Sequence, residues 1–191
     1  METGDQDTEQ RKLERLEELL WISEAQAGNS DSFEQLMRRY EKRLLYYLRR
    51  IVPEGDWALD LHQEVWVDAF RGLPTLQAPE AFRVWIYRIA HRKAARFIRS
   101  ERRRGDAAEA AADPVLKEQE ADAPEPFAAE AIHQGLQRLE PEDREVLVLH
   151  YLRDLSMHEL AAVLDCPVGT IKSRLYHARA ALRRIIEKEV L

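Results

Sequence analysis

The stretch from Ser156 to Lys188, SMHELAAVLDCPVGTIKSRLYHARAALRRIIEK, restricts what this chain can fold into more than any other, because it reads as two helices joined by a tight turn. Ser156 with Glu159 three residues on is a capping-box pattern, in which hydroxyl and carboxylate satisfy amide donors at a helix start. Leu160 and Leu164 give that helix one apolar face. The run Asp165-Cys166-Pro167-Val168-Gly169 cannot continue it, since proline disfavours the α region in the residue before it. In the second helix Ile171, Leu175, Ala178 and Leu182 share one side at 3.6-residue periodicity, while Lys172, Ser173, Tyr176, His177 and Arg183 face away, flanked by Arg174 and Arg179. An apolar seat on one side and long donors on the other are what a helix needs to lie in a major groove and reach phosphates and base edges. An ordinary amphipathic helix with a solvated charged face has the same pattern.

Glycine is scarce, 7 of 191 residues, and Leu, Ala, Glu and Arg are abundant, which favours an all-α chain. The net charge of −6 argues against a polyanionic partner only until its distribution is considered. From Arg83 to Arg104 the basic residues Arg83, Arg88, Arg92, Lys93, Arg96, Arg99, Arg102, Arg103 and Arg104 are opposed by Glu101 alone. From Gly105 to Glu130 the acids are opposed only by Lys117. A polyanion meets a patch, not a net charge. The single cysteine, Cys166, excludes an intrachain disulfide framework and suits a reducing compartment. The N-terminus METGDQDTEQ is polar and acidic, unlike a signal peptide, and no apolar run approaches membrane-spanning length, so a cytoplasmic protein without membrane insertion is expected.

Residues from about Gln10 to Gln26 form a helical pattern with Leu13, Leu16, Leu20 and Trp21 as its buried side. After Gly28-Asn29-Ser30, Asp31 can cap a second helix in which Phe33, Leu36, Met37, Tyr40, Leu44 and Tyr47 recur at core spacing. Trp57 to Arg71 is a third helix, with Leu61, Val65 and Phe70 inward and Asp60, Gln63 and Glu64 on one polar face. A fourth runs from about Glu80 to Arg99. There Trp85, Arg88, Arg92, Arg96 and Arg99 make one stripe and Ile86, Ala90, Ala94, Phe97 and Ile98 the opposite one. Arginines crowded on one face repel each other, and a polyanion relieves that repulsion. Trp85, with Phe82 before it, can offer a surface for stacking an unpaired base, although either ring alone fits a core equally well. Periodicity then collapses into an acidic, alanine- and proline-rich linker over residues 105–129. Beyond it Ile132, Leu136 and Leu139, then Val146, Leu147, Leu149 and Leu152 behind Pro141, supply the core of a second helical unit.

Taken together, these residues resemble the extracytoplasmic-function group of the bacterial sigma-70 family, two-domain initiation factors of RNA polymerase. The shared pattern is Phe33, Leu36 and Tyr40, DLHQEVWVDAF at 60–70, WIYRIA at 85–90, and REVLVLHYLRDLSMHELAAVLDCPVGTIKSRLYHARAALRR at 144–184. The resemblance implies an N-terminal helical extension (1–20), a region 2-like domain (21–104), the linker, and a region 4-like helix-turn-helix domain (130–191). It implies that Asp60, Gln63 and Glu64 dock on the β′ clamp helices of core RNA polymerase. It also implies that Phe82, Trp85, Arg88, Arg92, Lys93, Arg96 and Arg99 serve −10 recognition, and that Thr170, Lys172, Ser173, Arg174, Tyr176, His177 and Arg179 serve −35 recognition. Promoter DNA, the polymerase β flap and an anti-sigma factor are the other partners it implies, with no cofactor and no metal.

Two departures from the family pattern bear on specificity: Ala90-His91-Arg92 and Arg96 stand where Asn and Asp or Asn are usual, and His177 stands where arginine is frequent. The alternative is a free-standing helix-turn-helix regulator, which needs neither the Asp60/Gln63/Glu64 face nor a second basic domain. An enzyme finds little support. His158-Glu159 begins like a zinc-protease motif but HELAA lacks the second histidine, and there is no phosphate-binding glycine loop.

Overall fold

A computed structural model describes residues 3–52, 56–108, 132, 134–152 and 155–190. Among these there is no strand; the order is α1 (Thr3–Gln26), α2 (Ser30–Ile51), α3 (Trp57–Gly72), 3-10 turns at Leu73–Thr75 and Pro79–Ala81, α4 (Phe82–Ala108), α5 (Pro141–Tyr151), α6 (Met157–Val163) and α7 (Val168–Val190). The expected linker lies, beyond Ala108, outside the described residues.

Local chemistry sets the helix ends. Gly28 closes α1 in the left-handed region at φ 97, with Gly28 N–H to the Ala25 carbonyl and Asn29 N–H to the Glu24 carbonyl, both 3.0 Å. This is a Schellman ending, which glycine adopts without steric cost. The cap of α2 is Asn29 rather than Asp31: its Oδ1 accepts from the amides of Asp31 at 2.9 Å and Ser32 at 3.1 Å. Asn29 can take the extended backbone of a cap because the chain is already leaving α1. The capping box at α6 forms as the sequence implies, with Ser156 N–H on the Glu159 carboxylate at 2.7 Å and the Glu159 amide on the Ser156 hydroxyl at 3.3 Å. The turn into α7 is made by Asp165 at φ 51, a short polar residue that tolerates the left-handed region, with Cys166 N–H reaching back to Ala161 at 3.1 Å.

The core of the first domain is aromatic. Phe33 meets Trp66 edge-on at 5.9 Å, Tyr40 meets Phe82 at 5.5 Å, and Tyr47 meets Tyr87 at 6.0 Å. Leu36, Leu44, Val65, Ile86, Ala90 and Ala94 fill between them. Some sequence expectations are corrected here. Leu13, Leu16 and Leu20 are 50%, 63% and 56% exposed, and among the described side chains of α1 Ile22 is the fully buried one. The reason is that α1 is tied on largely by polar contacts: Glu18 accepts from the Tyr40 hydroxyl at 2.9 Å and pairs with Arg39 at 3.1 Å, and Gln26 donates to the carbonyls of Leu73 and Leu76. Phe70 and Ile132, expected inward, are 61% and 46% exposed, while Trp66 takes the inward place on α3.

The second domain packs α5, α6 and α7 around Val146, Leu147, Leu149, Leu160, Ile171, Leu175 and Ala178. It rests on the first domain, α5 against α2 and α6 against α4. At the centre of this contact the Glu145 carboxylate accepts from the Tyr47 hydroxyl and meets His91 Nδ1 at 2.7 Å. Burial, then the Glu145 charge and hydrogen bond, push the Tyr47 phenol well above its ordinary pKa.

Candidate nucleic-acid interface

The outward side of α3 carries Asp60, Gln63 and Glu64, all exposed. With Val67, Asp68, Arg71 and Lys93 they line a shallow concavity. Burying Ala58, Leu61, Val65, Trp66 and Ala69 against the core forces these polar residues out. Lys93 sits here, with Nζ 2.8 Å from Asp68 and 3.0 Å from Glu64. Burial pulls its pKa down, but the two carboxylates outweigh that and raise it overall. Lys93 was expected to serve −10 recognition with the α4 arginines; its Nζ lies instead on the acidic face. The helical wheel held this information, since at about 100° per residue Lys93 stands well away from Arg88 and Arg92.

On α4, Arg88, Arg92, Arg96 and Arg99 are exposed in one row, and none is ion-paired among the described residues. Phe82 does not join them. It is 0% exposed, packed on Tyr40 and Trp85, so its ring cannot reach a base without leaving the core. Trp85 is half-buried against Gly72, where an added Cβ would come within 2.9 Å of the indole. Glycine therefore seats the tryptophan at the near end of the arginine row.

On α7, Lys172, Ser173, Tyr176, His177 and Arg179 are exposed, Tyr176 at 72%. Thr170 and Arg174 are half-buried, and the Ser173 hydroxyl donates to the Thr170 carbonyl at 3.0 Å. The outward row forms because Ile171, Leu175 and Ala178 are buried in the domain core. Sequence reasoning missed what holds the arginines. Glu142 pairs with Arg174 at 2.9 Å, and His150 meets Arg179 at 2.7 Å. Four consecutive buried residues, Val146–Leu149, hide the faces of α5 from periodicity, so neither partner was legible there. Among the described residues no cluster of His, Cys, Asp or Glu is arranged to hold a metal, and no helix is long and apolar enough to cross a membrane.

An exposed acidic face, an arginine row and a helix-turn-helix on two contacting helical domains define a DNA-binding protein of two-domain type. Two family models match: Sigma-70 region 2 over residues 36–104, and Sigma-70 region 4 over residues 129–182. The chain is 33% identical over 182 residues to the ECF RNA polymerase sigma-E factor of Escherichia coli K12, covering 88% of this chain and 94% of that one. It is 29% identical over 177 residues to the RNA polymerase sigma-H factor of Pseudomonas aeruginosa, covering 87% and 92%. Among solved structures, CnrH in complex with the cytosolic domain of CnrY is similar at TM-score 0.65 and 26% identity, covering 90% of this chain and 98% of that one. The fold is also that of the sigma factor RpoE bound to the anti-sigma factor NepR from Bartonella quintana, at TM-score 0.73 and 21% identity over 81% and 96%. The chain belongs to the extracytoplasmic-function group of the sigma-70 family.

Proposed function

We propose that this chain is an alternative, cytoplasmic sigma factor that directs core RNA polymerase to promoters with −10 and −35 elements and carries no catalysis of its own. The observation that carries this reading is that three polar or basic faces are exposed together on one helical scaffold: Asp60/Gln63/Glu64, the α4 arginine row, and the outward row of α7. The α3 face offers carboxylate and amide oxygens to the clamp helices of the β′ subunit. Trp85 with Arg88, Arg92, Arg96 and Arg99 serves the −10 strand, by stacking and by backbone charge. Lys172, Ser173, Arg174, Tyr176, His177 and Arg179 serve the −35 duplex, with Thr170 at the helix start, and the β flap receives the second domain. Domain limits near 20, 104 and 129 belong to the same proposal, with α1 and α4 running unbroken across the first two. An anti-sigma factor that covers these faces is the expected regulator.

Distance adds a requirement. Elements about 25 base pairs apart are centred about 85 Å apart at 3.4 Å per pair. Touching domains of this size, with radii of gyration near 12 Å, have centres only about 30 Å apart. The domains must separate at the Glu145 contact to hold both elements. The chain between Ala108 and Ile132 can span at most roughly 80 Å, at 3.3–3.6 Å per residue, which is enough.

The test is co-elution of the purified chain with core polymerase. Wild type should co-elute, and the double charge reversal Asp60→Lys, Glu64→Lys should not, while its far-ultraviolet circular dichroism stays helical. Unchanged binding by a folded double variant would remove the docking assignment. Duplex binding without polymerase binding by the wild type would favour a free-standing regulator.

A further inference from the structure

The two arginines on the flanks of α7 are held by different chemistry. Arg174 gives Nη2 to Glu142 at 2.9 Å, and this carboxylate offsets its charge. Arg179 gives Nη2 to His150 Nε2 at 2.7 Å. A guanidinium has five N–H donors and no acceptor, so His150 must present a lone pair, as the neutral ring with its proton on Nδ1. Burial, and then the Arg179 charge, hold the His150 pKa below the ordinary histidine value, which keeps that form at neutral pH. The Tyr151 ring lies 5.9 Å from the Arg179 guanidinium carbon. Arg179 is thus held from α5 on two sides, retains its full charge, and has the rest of its donor fork uncommitted among the described residues. An arginine already ordered loses less rotamer freedom when it meets DNA.

Resting on the assignment of α7 as the duplex reader, we propose that His150 is a positioning residue for Arg179: a neutral acceptor that orients the guanidinium toward DNA without cancelling its charge. Glu142 does the opposite for Arg174, since that arginine must exchange its carboxylate for DNA. The second domain then carries one arginine set for immediate contact and one that must be released.

The test uses the full chain loaded on core RNA polymerase, with a duplex fragment of a promoter it transcribes and the same fragment with its −35 element scrambled. His150→Leu removes the acceptor and keeps the bulk. His150→Gln places an amide oxygen near the former Nε2 position, and His150→Glu supplies an acceptor that neutralises. For the loss of a hydrogen bond of ordinary net worth, His150→Leu should weaken binding of the intact fragment about three- to tenfold, with His150→Gln restoring it to within about twofold. His150→Glu should lower the salt slope by about 1 if Arg179 contacts a phosphate. In an Arg179→Ala background His150→Leu should have no further effect, which a merely structural role would not produce. His150→Leu binding like wild type, or losing as much without Arg179 as with it, would overturn the proposal. A wild-type holoenzyme that does not distinguish the two fragments would remove the α7 assignment, and the inference with it.

Discussion

The two helices proposed to face nucleic acid, α4 and α7, carry their arginines in different ways. On α4 the row Arg88, Arg92, Arg96 and Arg99 has no ion-pair partner among the described residues, and a half-buried indole sits at one end. On α7 each flanking arginine has its own support on α5, Glu142 for Arg174 and His150 for Arg179. An unpaired row is a rail: its attraction to phosphates is strong, additive and indifferent to sequence. On the proposed reading, Arg179 is held with its charge uncancelled, as directional contact with DNA requires, whereas Arg174 must first leave Glu142. On the proposed assignment, affinity and readout are divided between the two domains of this chain.

That contrast can be broken most severely on the rail. Replacing Arg88, Arg92, Arg96 and Arg99 together by Ala should lower the salt slope of holoenzyme binding to a forked −10 fragment by about 3, at about 0.7 per single-strand phosphate, and by similar amounts for different −10 sequences. Fluorescence anisotropy across a salt series measures it. A loss confined to one −10 sequence would make α4 a base reader instead. On α7, Arg174→Ala should cost about 1–3 kcal/mol on the intact −35 element and little on a substituted one, checked by competition binding. Core association should be untouched.

A smaller effect sharpens how α7 is aimed. Ser156→Ala removes one half of the capping box of α6, on which α7 packs, and should lower the stability of the chain by about 1 kcal/mol in urea unfolding. The smallest concerns pH. Burial pushes the Glu159 carboxyl up, but the Ser156 hydrogen bonds and the charges of Arg83 and Arg15 outweigh it and hold the pKa below the usual value. A depressed folded pKa contributes stability that is present above the unfolded value of about 4.3 and fades as pH falls through the lower folded value. Glu159→Gln should therefore flatten the acid limb of a stability profile measured below pH 5, at some loss of stability near neutrality.

How much of this was legible in the sequence depended on whether a residue answers to its own helix or to another. The capping box at Ser156, the inward row Ile171, Leu175 and Ala178, and the exposure of Asp60, Gln63 and Glu64 follow from helical periodicity alone, and all are present. Leu13, Leu16 and Leu20 have the spacing of a buried face, yet α1 turns Ile22 and Glu18 to α2, because Glu18 finds Tyr40 and Arg39 there. Phe82 carries an aromatic ring suited either to a core or to a base, and only the tertiary fold, by bringing Tyr40 alongside, decides for the core. The Glu145 contact with Tyr47 and His91 joins residues 98 and 54 positions apart, beyond any local pattern.

The measurement that bears most directly on the whole account is transcription by polymerase reconstituted with this chain on a library of genomic promoter fragments. The expected result is a set of transcripts starting downstream of one shared two-element motif, absent with core polymerase alone and lost on scrambling either element. Binding to core without such transcripts, or transcripts indifferent to the −35 element, would contradict it.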